Sequence, residues 1–154
     1  MRLISHPALF ILVSLCAACG SQQPPPAPAE DADAVRTREC NQIVEIINHS
    51  AEAIDQLGDG GTASNRSQLD GMASALERAT QDIARVTLTV PALQQRAGQY
   101  QQMAKRSSAA ARELSAALNT QDETTIQRAS LALQAAVEPE DQVIESINAL
   151  CLGR

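Results

Sequence analysis

From about Val35 onward, apolar residues return at alternating three- and four-residue steps, a spacing that lays one stripe along one face of an α-helix and leaves helix-on-helix packing as the way to bury it. The first stripe is Cys40, Ile43, Ile47, Ser50, Ile54 and Leu57, and Gly58-Asp59-Gly60-Gly61 ends it, since glycine takes the left-handed conformation that helix ends need. The second stripe, Leu69, Met72, Leu76, Ala79, Ile83 and Val86, follows a start at Asn65 or Ser67. Thr87 to Val90 is largely β-branched, and Pro91 both bars Val90 from helix and suits the first turn of a third helix. That helix runs to about Leu118 on Leu93, Ala97, Tyr100, Ala104, Ser107, Ala111 and Leu114. Thr120-Gln121-Asp122-Glu123 reads as a capping box for a fourth, whose stripe is Ile126, Ala129, Leu133, Ala136, Val143, Ile147 and Leu150. Pro139 lies inside this last run, where it removes a backbone hydrogen bond and crowds the carbonyl of Ala135, so the fourth helix is expected to kink there.

The core available to these helices is aliphatic. Tryptophan is absent, and the single phenylalanine and single tyrosine are Phe10 and Tyr100. A sandwich of strands draws on aromatic and β-branched residues, so this poverty also favours helices. The third and fourth helices are rich in alanine and serine, which let helix axes approach closely.

Four helices joined by short loops run antiparallel to their neighbours, so an even number of passes returns the chain to the end where it began. Cys40, near the start of the first helix, and Cys151, at the end of the fourth, then share one end of the bundle. Two cysteines in an oxidising compartment read as a disulfide. The expected fold is all-α: an antiparallel up-down four-helix bundle, kinked at Pro139 and tied by Cys40–Cys151.

The compartment comes from the N-terminus. Arg2 supplies a positive start, Ala8 to Leu15 form an apolar run too short to span a bilayer, and Ala17-Ala18 are small residues before Cys19. This is the pattern of a secretory signal, and the segment ending in Cys19-Gly20-Ser21 resembles the lipobox of bacterial lipoproteins, with Cys16 where that family usually has leucine. The resemblance implies cleavage before Cys19, acylation of that residue, and attachment to the envelope, with Gly20 in place of aspartate pointing to the periplasmic face of an outer membrane; plain signal cleavage with secretion or surface display is the alternative. Residues 20–34 contain Pro24, Pro25, Pro26 and Pro28 and form an extended tether, able to hold a domain up to about 45 Å from an anchor. The domain organisation predicted is therefore a signal over 1–18, a tether over 19–34 and a helical bundle over 35–154.

Composition also narrows function. The chain carries 12 Lys and Arg against 18 Asp and Glu, a net charge of −6, and has no basic cluster, which argues against nucleic acid and leaves membrane attachment to the lipid on Cys19. His49, the one histidine outside the signal, has no second histidine with which to share a metal, and no Gly-x-Ser-x-Gly turn accompanies it for nucleophilic chemistry. Glu138, Glu140, Asp141 and Glu145 lack the spacing of a calcium loop and read as a solvated helix start. Neither cofactor nor metal is expected, and the chain is read as not an enzyme. Arg36 to Glu39 read as surface charge. Tyr100, with Met103 one turn on, is the candidate anchor for a protein partner, the competing reading being that it fills the core. The expected function is a non-enzymatic protein-binding or scaffolding module. The bundle is similar in plan to the helical pilotins of type II secretion, small disulfide-tied lipoproteins that escort a secretin subunit, which implies an exposed apolar groove between two helices. A carrier of a small ligand or metal is the further alternative.

Overall fold

The computed structural model describes residues 31–59 and 65–153. Every regular element among them is a helix: α1 Ala32–Asp59, α2 Asn65–Arg85, α3 Pro91–Ala117, α4 Glu123–Val137 and α5 Glu140–Cys151. The signal, Cys19 and most of the tether lie outside these residues. The first helix starts three residues before Val35, because the Asp31 carboxylate accepts the Asp33 N–H at 3.2 Å and the Asp31 carbonyl accepts that of Val35 at 2.9 Å.

Pro91 opens α3 after an extended Val90, as its fixed φ favours. The cap of α4 is Asp122 rather than Thr120: the aspartate accepts the Thr124 N–H at 3.1 Å and the Thr125 hydroxyl at 2.5 Å. Thr120 is drawn back instead, its hydroxyl donating to the Ala117 carbonyl at 2.8 Å, while Gln121 takes a left-handed φ of 57° to turn the chain.

The last pass is one kinked helix in two segments. Glu138 and Pro139 both keep right-handed helical dihedrals between α4 and α5. Pro139 has no N–H to offer the Ala135 carbonyl, and the next carbonyl, that of Ala136, is taken by the Ser107 hydroxyl of α3 at 3.1 Å.

The helices pack as an up-down bundle in which α3 is central, touching α2, α4 and α5, while α2 also packs on α1. Ile43, Ile47, Leu76, Ile83, Leu93, Ala104 and Ile147 meet in a single core. Small residues of α3, including Ser108, Ala110, Ala111 and Ser115, are buried, and Ala129 of α4 is fully buried, so alanine and serine do serve close packing. Arg112 of α3 and Glu77 of α2 add a two-pronged ion pair at 2.8 and 2.7 Å.

One end of the bundle is held by two devices. Cys40 and Cys151 are disulfide-bonded across 111 residues of chain, joining α1 to the end of α5 with a Cα separation of 5.6 Å. Beside them, Glu39 does not lie on the surface: it is 1 % exposed. Its carboxylate accepts the Thr89 N–H at 2.9 Å, the Thr89 hydroxyl at 2.5 Å and the Val90 N–H at 3.1 Å. These donors precede α3, whose N-cap residue Val90 makes no side-chain cap of its own, so a residue of α1 supplies the acceptor.

Candidate binding cleft

The opposite end of the bundle is open. There α1 finishes, α2 begins, α3 finishes and α4 begins, and the ring of helices does not close. The fourth pass meets α1 through α5, near the disulfide, whereas α4 packs chiefly on α3 and approaches α1 marginally at most. The gap between α1 and α4 is a cleft of about 470 Å³.

Each helix contributes the end of its apolar stripe. Ile54 and Leu57 of α1 form one wall and Ile126 of α4 the other, over a floor of Leu69 and Met72 from α2 with Leu114 and Leu118 from α3. All seven are half-buried, although their spacing is that of core residues. Asn65, Gln68 and Ser130 complete the lining, which has no charged side chain. The Gln68 amide is already engaged, donating to the Leu57 carbonyl at 3.1 Å and tying the end of α1 to α2. Arg66 likewise reaches the Asn119 side chain at 2.5 Å, tying the start of α2 to the chain beyond α3. What this lining can do chemically is take an apolar group out of water, with uncharged polar groups at its edge to orient it.

Gly71 sets the shape of the Leu57 wall. A Cβ at this position would lie 2.7 Å from both terminal methyl carbons of Leu57, so Leu57 packs directly over the glycine. Gly71→Ala is expected to change stability by no more than about 1 kcal/mol, the helical preference for alanine offsetting the small shift. It should nonetheless reseat Leu57 and alter the binding of an apolar probe in the cleft. Melting and probe titration on the same sample check this.

The anchor pair read from the sequence is not at this site or at the surface. Tyr100 is 2 % and Met103 1 % exposed, and both belong to the core. Their burial removes them as a docking pair and gives the core-filling reading of Tyr100. Burial pushes the Tyr100 phenol above its ordinary pKa; the nearby Ser50 hydroxyl draws it partly back and Glu140 adds to the rise. Glu140 is itself raised, by burial and then by Asp141, so the start of α5 is only partly solvated. His49 is exposed on α1. Among the described residues no group of three or more His, Cys, Asp and Glu could hold a metal ion, and no helix is long and apolar enough to cross a membrane.

Comparison with protein-family models, with curated proteins and with solved structures finds no match to this chain.

Proposed function

We propose that the chain is a non-enzymatic binding module, held at a bacterial envelope membrane by lipid on Cys19, whose cleft takes the apolar face of a helix from a partner protein. The observation that supports this reading is the cleft itself: aliphatic side chains from four helices, left half-exposed where α1 and α4 part. An inert scaffold has no use for such a surface, and exposed apolar patches of this kind mark interaction sites. The cleft is open to solvent along one side, which suits a segment laid into a groove more than a small molecule needing enclosure. Asp55 and Glu123 are exposed and stand one helical turn from the lining residues Gly58 and Ile126, while Arg66 is engaged with Asn119. With a net charge of −6, this favours a partner helix with basic flanks. An escort role of the pilotin type fits this groove better than passive scaffolding does.

The test uses the full chain in native envelopes with a photo-crosslinking residue at Ser130. The expected product is a single partner, crosslinked through a helix with an apolar face, and Leu118→Glu should abolish it without unfolding the bundle. Cys19→Ala should release the protein from the membrane and remove the crosslink as well. Crosslinking indifferent to Leu118→Glu would overturn the cleft as the binding site, and an unmodified mature mass at Cys19 would overturn the anchor.

A further inference from the structure

We propose that α4 is the movable wall of this cleft, swinging about Pro139 to set how wide the cleft stands; the inference rests on the cleft being the binding site. The opposite wall and the floor are cross-tied. Gln68 binds the end of α1 to α2, Arg66 binds the start of α2 to Asn119, and Arg112 with Glu77 joins α3 to α2. The side-chain hydrogen bond from the Ser107 hydroxyl to the Ala136 carbonyl joins α4 to α3 at the hinge end. Both segments pack on α3, but beyond the hinge α5 alone is also held covalently, by the disulfide to α1.

The wall is also built to move as a unit. The side chain of its cap, Asp122, accepts from Thr124 and Thr125 of its own helix, and the Asp122 N–H donates to the Thr120 hydroxyl in the turn just before it. Ala129 is its only buried residue, Ile126, Leu133, Ala136 and Val137 being half-buried, and Leu131 stands 59 % exposed. From Ser107 to Ala117 the buried residues of α3 are alanine and serine, which leave few large side chains to unseat when a helix shifts, while the larger Leu114 and Leu118 stand at the cleft. Pro139, lacking an N–H, leaves the helix ladder incomplete at the point where α4 would pivot. Outward movement of α4 widens the gap to Ile54 and Leu57; inward movement closes Ile126 over an occupant.

Hydrogen exchange of the full chain, read by mass spectrometry, tests the hinge. Amides of α4 should exchange at least about tenfold faster than those of α5 and the adjoining part of α3. Pro139→Ala, which restores a donor for the Ala135 carbonyl, should slow exchange in α4 and leave α5 unchanged, and Ser107→Ala should quicken it. The neutral apolar dye N-phenyl-1-naphthylamine then reports on the cleft: Pro139→Ala should slow its association several-fold and Leu118→Glu should abolish its binding. Equal protection of α4 and α5, or exchange insensitive to both hinge variants, overturns the proposal. Fast exchange in α4 with dye binding untouched by Leu118→Glu overturns the cleft reading instead, and leaves the motion without a site to serve.

Discussion

Cys151→Ser is expected to destabilise the bundle by about 4–5 kcal/mol, the loop-closure entropy of a cross-link spanning 111 residues. For a domain of this length that corresponds to a fall in melting temperature of roughly 10–20 °C. The size follows from topology. The two cysteines join the first helix to the end of the last, so nearly the whole domain lies inside the closed loop, and the unfolded chain gains the freedom of that entire loop on cleavage. The native state also loses its main join between α1 and the fourth pass, leaving α1 packed chiefly on α2. Thermal melts with and without reductant measure the effect. Cys40→Ser should give the same drop, and the double variant no more than either single, because all three remove one cross-link. A melting temperature unchanged by reductant would show that the packing alone closes the ring.

Removing the Glu39 carboxylate should be nearly as costly. Glu39→Ala leaves the N–H groups of Thr89 and Val90 without their acceptor beside a buried site, a loss of about 2–4 kcal/mol for hydrogen bonds to a charged partner. The same contacts predict an acid response. Burial alone would raise the Glu39 pKa, but the Thr89 hydroxyl, the Val90 and Thr89 amides and the charge of Arg38 together outweigh it and hold the pKa below its ordinary value of 4.5. The folded state therefore binds the proton less readily than the unfolded state. Its contribution is fully present above about pH 4.5 and is lost as pH falls through the lower, folded value. Melting curves of wild type and Glu39→Gln taken from neutral to acid pH should converge as the wild type loses this advantage. Parallel curves would mean that folding does not lower the Glu39 pKa.

The helices and the disulfide were legible because they follow from local spacing and from a parity argument. Stripes at three- and four-residue steps, Pro91 at a first turn, Pro139 at a kink and two cysteines at the ends of an even number of passes each carry their own physical reason. Glu39 was not legible. On its own helix it follows Arg38 within a polar run, and its partners, Thr89 and Val90, are 50 and 51 residues away in a connection whose only sequence signal is β-branching. The cleft was hidden for a different reason. Ile54, Leu57, Leu114, Leu118 and Ile126 fall in phase with core stripes, and spacing shows which way a residue faces along its helix but not whether the facing helix arrives. The same limit explains Tyr100: periodicity placed it on the inner face, and only the packing distinguished filler from anchor.

The arrangement of the two ends has a mechanical consequence. The disulfide and the Glu39 cap stand near the end of the bundle where the chain enters, and the cleft lies toward the far end of α1, about 25 Å from Cys40 to Leu57 along the helix at about 1.5 Å per residue. Tension between the entering chain and anything gripped in the cleft would run lengthwise along the helices. Pulled in shear, the contacts along each interface share the force, whereas peeling would break them one at a time. At Cys40 part of that force passes through a covalent bond into α5 before it reaches most of the core. The geometry suits the tethered head proposed above, which would have to keep its shape while a membrane and a partner pulled against each other.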